Sequence, residues 1–278
     1  MLNETIAIYA IIDDLLKAIG HRDDCRRKMT DAEIITTAVV AALFFSGNQV
    51  LARAYMPDHG LIPTMLEKSR FCRSWNQLSM LLDDLFHQLG MVLKQINGST
   101  EYLLDSFPVP VCDNIRIFRA RLVKSQEYRG YIASKKRYFY GVRVQLLSTK
   151  DGIPVEFVFL PGSANDVRGL KAEPSNLPEG SEVYGDSAYT DYTNEDDLKD
   201  SSQIQLQVMR KKNSTRPDPP WTSYVKQSTR HYIETVFSGI THVFPKSIHA
   251  VTFDGFLLKL SVFIFAFTLK TAFIDQAS

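Results

Sequence analysis

Cysteine is scarce in this chain. Cys25, Cys72 and Cys112 are an odd number with no Cys-x-x-Cys spacing, which argues against a disulfide framework or a zinc site and suits a reducing compartment. Charge of one sign is lacking as well: the formal net charge is +1, so bulk electrostatics names no partner and only local clustering can. The six histidines include no His-Glu-x-x-His and no paired spacing, so a histidine metal centre is not expected. Internal repeats and low-complexity tracts are absent. Met1-Leu2-Asn3-Glu4 has no basic n-region, so a secretory signal is not expected either. Long apolar runs are missing too. In the richest segment, Gly255–Ile274, Lys259 and Lys270 leave ten uninterrupted apolar positions between them, too few to cross a bilayer. A helix closing a core is expected there, and no membrane partner.

What is present is enough apolar material for a sizeable core, 45% of 278 residues. Glu4–Ile19 carries Ile6, Tyr9, Ile12, Leu15, Leu16 and Ile19 near one helical face. Thr30-Asp31-Ala32-Glu33 reads as a capping box opening an apolar helix to about Phe45. A short helix over Asn48–Tyr55 is stopped near Pro57 and Gly60. A second capping box, Ser74-Trp75-Asn76-Gln77, precedes a helix from Gln77 to Ile96. Residues 1–96 therefore form a helical N-terminal region. After the Asn97-Gly98 turn the period changes. Tyr102–Asp105 is a short strand, and Pro108 and Pro110 are expected to break it. Tyr138, Tyr140, Val142, Val144 and Leu146 alternate strictly, and a second strand, Ile153–Leu160, follows the turn at Thr149–Gly152, making a hairpin. A short helix (Val167–Glu173), a strand (Glu182–Gly185), a helix (Ala188–Lys199), a strand (Ile204–Met209) and helices over Ser223–Phe244 and Gly255–Phe273 complete the order. Strands interleaved with helices in this way make an α/β fold, a mixed sheet flanked by helices.

Three acids stand out within this order. Asp105 and Asp186 each close a short strand, each followed by serine, and strand ends are where open α/β sheets place ligands. Two carboxylates held close repel unless a divalent cation neutralises them, and Mg²⁺ and Mn²⁺ take such oxygen ligands. Glu234 sits among helical apolar positions (Tyr232, Val236 and Ile240 on one stripe, Ile233 and Phe237 on the next) that would turn its carboxylate along the sheet. Taken singly, each acid has a plainer reading as a cap, a turn residue or half of an ion pair, with Arg230 as the partner of Glu234. Asn165-Asp166 reads first as a helix N-cap, with a supporting acid of the same site as the alternative.

The segments Leu103-Leu104-Asp105-Ser106-Phe107-Pro108, Tyr184-Gly185-Asp186-Ser187-Ala188-Tyr189 and Arg230-His231-Tyr232-Ile233-Glu234-Thr235-Val236-Phe237 resemble the DDE transposases of bacterial insertion sequences. The resemblance implies a ribonuclease-H-like catalytic domain over 97–278, with Asp105, Asp186 and Glu234 as catalytic metal-binding acids holding Mg²⁺ or Mn²⁺, two ions in all. It implies Arg230 as a contact to DNA phosphate and 1–96 as the region that binds the DNA end. It implies metal-dependent DNA strand cleavage and strand transfer at the terminal inverted repeats and a target DNA, by a homodimer in the bacterial cytoplasm at the nucleoid. The 48 positions from Asp186 to Glu234 leave no room for a large inserted domain. Two positions depart from the family pattern. The lysine seven places after the glutamate is Thr241 here, with Lys246 as a substitute, and the tyrosine three places before the arginine is Gln227. A ribonuclease-H-like nuclease without strand transfer, or a DNA-binding protein with a dead site, remain the alternatives.

Basic residues crowd one segment, namely Arg116, Arg119, Arg121, Lys124, Arg129, Lys135, Lys136, Arg137 and Arg143, with aromatic residues interleaved. A second cluster is Arg210, Lys211, Lys212 and Arg216, leading to Trp221 in a proline-rich loop. Such patches are what phosphates near a catalytic site require.

Overall fold

The computed structural model describes residues 1–172, 176–245 and 247–275. The chain falls into two compact units, Met1–Met91 with Ile240–Ser278, and Val92–Gly239. The sequence division at 96/97 is therefore not the division of the packed units, because the C-terminal helix clusters with the N-terminal ones.

The first unit contains α1 (Leu2–Ala18), α2 (Asp31–Phe44), α3 (Gln49–Asp58), α4 (Lys68–Asn76), most of α5 (Ser79–Ile96) and α9 (Phe253–Leu269). The Thr30–Glu33 capping box forms in full. Helix α2 is apolar all round and its Ile35, Val39 and Val40 are fully buried, as expected of a central helix. It packs against α9. Gly47, at φ +81°, lets the chain turn where a Cβ would meet the Phe263 ring at 2.8 Å. Phe253–Ile274 is long and apolar enough to cross a membrane, and 67% of its most apolar stretch is buried in the protein, in line with the core-helix expectation. The second capping box does not form. Ser74-Trp75-Asn76 is the last turn of α4, held helical by Phe71 and Trp75, which are both buried one turn apart. The next helix starts at Ser79.

The second unit is built on a six-stranded sheet: β1 (Glu101–Asp113), β2 (Arg129–Ile132), β3 (Arg137–Thr149), β4 (Pro154–Pro161), β5 (Glu182–Gly185) and β6 (Gln205–Val208). The order is β2-β3-β1-β5-β6, with β4 also paired to β3. Strands β1 to β4 pair antiparallel, whereas β1, β5 and β6 are parallel. With α6 (Asp166–Ala172), α7 (Tyr192–Ser202) and α8 (Pro220–Val243), this is the ribonuclease-H-like α/β arrangement anticipated. Phe107 meets Phe237 edge to face at 6.3 Å, so the odd-numbered side chains of β1 face α8. Ser106 reaches Asp166 on α6, so the even-numbered ones face the other layer.

The prolines do not end β1, which runs thirteen residues through them, with one register shift against β3 between Pro110 and Cys112. The register gives the reason. Glu182 donates its N–H to the Thr100 carbonyl, so the even-numbered backbone groups of β1 point toward β5. That pairing ends at Leu104 and Gly185. Pro108 and Pro110 therefore withhold donors only from an unpaired edge, where proline is tolerated, while the other edge pairs with β3 to Asp113. Three further expectations shift. Ala188 lies in a 3₁₀ turn, Ser187–Tyr189, and α7 starts after Asp191, which caps it. Trp221 lies in the first turn of α8 rather than in a loop. Strand β2 lies inside the basic segment, where no strand was expected.

Candidate active site

The register places two of the three acids. Leu104 pairs with Gly185 across parallel strands, so Asp105 and Asp186 are the next residues of the two neighbouring segments, and the charge of Asp186 acts on Asp105. Asp186 leaves its strand into the 3₁₀ turn and accepts the Ser187 N–H at 2.5 Å. Asp105 stays in strand and accepts the Ser106 N–H at 2.7 Å. Glu234 comes from α8. Arg230, one helical turn earlier, has Nε 3.4 Å from the Glu234 carboxylate and Nη2 3.8 Å from that of Asp186. It thus links the helix acid to the strand-end acid. These ion pairs are about half exposed, so water and salt weaken them.

Electrostatics single out Asp105. Burial pushes its carboxyl up to about 6, and the charges of Asp166 and Asp186 add to that, while the Ser106 N–H and Arg143 oppose it. A network of polar groups lies on the opposite face of the sheet. The Asp166 carboxylate accepts the Ser106 hydroxyl at 2.5 Å and Arg143 Nη1 at 3.1 Å, and Arg143 Nη1 also reaches Ser106 Oγ at 3.1 Å. The fully buried Tyr189 hydroxyl stands near these groups; burial first, then the charges of Asp166 and Asp105, holds it in the neutral form well above its ordinary range. Asn165 does cap α6, accepting the Arg168 N–H at 3.2 Å. Its neighbour Asp166 holds Ser106 and Arg143 on the other face of the sheet, and its charge reaches Asp105. Spacing along the chain carries no signal for this network, because it needs α6, β1 and β3 together.

An oxygen-only donor set suits a hard divalent cation, whose charge would offset the burial and carboxylate repulsion that raise Asp105. Among the described residues, His21, Asp23 and Asp31 are the group whose ligand atoms lie within 4.8 Å of one another. Their charges are already accounted for, since Asp31 pairs with Arg27 and with His21 at 3.0 Å, and Asp23 accepts the Asp31 N–H. Asp105, Asp186 and Glu234 do not come together that closely.

The basic residues divide. Arg116, Arg119, Arg121, Lys124, Lys135, Lys136 and Arg137 are all exposed, in the excursion from β1 to β3. Arg137 lies 3.2 Å from Asp113, and Arg129 covers the Tyr138 ring at 4.3 Å. Arg143 leaves this group for Asp166. In the second cluster Lys211 and Lys212 are exposed. Arg210 and Arg216 instead form two-pronged pairs with Glu195 and Asp196, fastening the segment after β6 to α7. Thr241 is in the last turn of α8, and Lys246 lies outside the described residues.

Compared with known families, residues 97–266 match the model of the transposase DDE domain. The match spans Asp105, Asp166, Asp186 and Glu234. No curated protein and no solved structure matches the chain.

Proposed function

The chain belongs to the DDE transposase family, and from that premise we propose that it cuts DNA at the ends of a bacterial insertion sequence and joins them to a target. The observation that supports this reading best is that Asp105 and Asp186 directly follow the last pair of two adjacent parallel strands, Leu104 with Gly185, while Arg230 ties Glu234 to Asp186. Asp105, Asp186 and Glu234 are the residues that would hold Mg²⁺ or Mn²⁺. Bound there, the ions supply an activated water or DNA 3′-hydroxyl and stabilise the leaving oxygen.

The protein's own groups do the rest. Ser106 fixes the Asp105 carboxylate with its N–H and is itself held by Asp166. Arg230 balances Asp186 and Glu234, and it stands where a scissile phosphate could take its guanidinium. Arg116, Arg119, Arg121, Lys124, Lys135, Lys136, Arg137, Lys211 and Lys212 supply exposed charge for the phosphate backbone. No covalent protein–DNA intermediate is required, so no serine or tyrosine is assigned as nucleophile. The helices of 1–96 are assigned to binding the DNA end, and a homodimer to pairing two ends.

The test is a product assay with DNA carrying both flanks of the coding segment. Wild-type protein with Mg²⁺ should yield cut ends and joined products. Asp105→Ala, Asp186→Ala and Glu234→Ala should each bind the DNA and leave it intact. Cut ends without joined products would replace this reading with a nuclease. Unchanged cutting by Asp105→Ala would remove the site.

A further inference from the structure

After β1 the chain enters a 3₁₀ turn, Asn114–Arg119. With three residues per turn, side chains at i and i+3 lie one above the other. Ile115 and Phe118 therefore form one ridge, and Arg116 and Arg119 form the ridge beside it. Both apolar side chains are almost wholly in solvent, Ile115 at 91% and Phe118 at 94% exposure. Both arginines are exposed as well. Arg121 and Lys124 follow in the chain, again exposed. Next to the ridge is a cavity of about 490 Å³ lined by Ile117, Phe118, Lys124, Gln126, Arg129 and Tyr140.

Two large apolar groups in water are costly unless something covers them. The charge around them says what does so. A cationic ridge parallel to an apolar ridge fits a phosphate backbone running beside an opened base step. Proteins that distort duplexes do so by inserting apolar side chains between bases while arginines hold the phosphates. We infer that Ile115 and Phe118 are a wedge that enters a base step of the bound DNA and unstacks it, with Arg116 and Arg119 gripping the adjacent phosphates. This rests on the proposed DNA-processing role, and it adds a distortion of the duplex on the excursion that leaves the Asp105 strand. Its exposed position also means that Phe118 can be changed without cost to the core.

The test compares binding to an intact duplex and to the same duplex with a single unpaired base, for which unstacking is already partly done. A 2-aminopurine placed next to that position reports loss of stacking. Wild-type protein should prefer the bulged duplex by about tenfold or more and should raise the 2-aminopurine fluorescence. Phe118→Ala should bring the preference close to unity and abolish the fluorescence rise, and Phe118→Leu should retain both. Arg119→Ala should weaken binding to both duplexes alike and reduce the salt slope by about one.

If wild-type protein binds DNA but Phe118→Ala keeps the preference and the fluorescence rise, the wedge is wrong and DNA binding stands. If Phe118→Ala instead changes the oligomeric state in sedimentation, the ridge is a contact between copies and the wedge is overturned. Failure of the wild-type protein to bind either duplex would overturn the DNA reading, and the wedge with it.

Discussion

Replacing Asp105 by asparagine should stabilise the metal-free protein at neutral pH. The carboxyl is held at about 6, against an ordinary value of 3.8, by burial and by Asp166 and Asp186. A raised folded value means that the native state binds more protons than the unfolded one between those two pH values. Stability therefore falls as pH rises through the window from about 4 to about 6, and stays low above it. The gap corresponds to about 3 kcal/mol at full burial, and with Asp105 only partly enclosed a gain of about 1–3 kcal/mol is expected for the asparagine variant at pH 7. The amide keeps the shape and can still accept the Ser106 N–H, so packing should not mask the effect. Urea unfolding of both proteins in chelator at pH 4 and pH 7 is the assay: the gain should be present at pH 7 and small at pH 4. Adding Mg²⁺ or Mn²⁺ should then stabilise the wild type and narrow the gap, while doing little for Asp105→Asn. Equal stabilities at pH 7, or a difference that does not change with pH, would show that Asp105 is not under the electrostatic load described.

Two more outcomes follow from the same geometry. Ser106→Ala and Asp166→Asn should each slow metal-dependent DNA cleavage by about 10–100-fold while the fold persists; because both cut one link, the double variant should be little worse than either, and simple additivity in a double-mutant cycle would deny the link. Glu195→Ala should leave Arg210 enclosed with no counter-charge and destabilise the protein by about 3–5 kcal/mol; a denaturation midpoint within error of wild type would mean that the pair is dispensable.

Much of this was legible in the order of residues because the signals are local. The Thr30 box and the β3–β4 alternation depend on neighbours within a few positions, and the family match covers the segment holding Asp105, Asp186 and Glu234. Where reading along the chain failed, a distant partner decided. Pro108 and Pro110 are breakers in isolation, yet they are tolerated because β5 stops at Gly185 and leaves their edge unpaired. Ser74 to Gln77 has the spacing of a cap, but burial of Phe71 and Trp75 draws it into α4. Arg143, Arg210 and Arg216 count as DNA-facing charge by composition, whereas Asp166, Glu195 and Asp196 claim them in the fold. Periodicity and short motifs along the chain thus carry the layer class and the strand hairpin. Only the folded chain decides that Asp105 lies within a strand continuing past its prolines, that Asp166 holds the neighbouring Ser106 from the opposite face, and that Ile115 and Phe118 stand uncovered. Pairing register and burial are set by residues far apart in the chain.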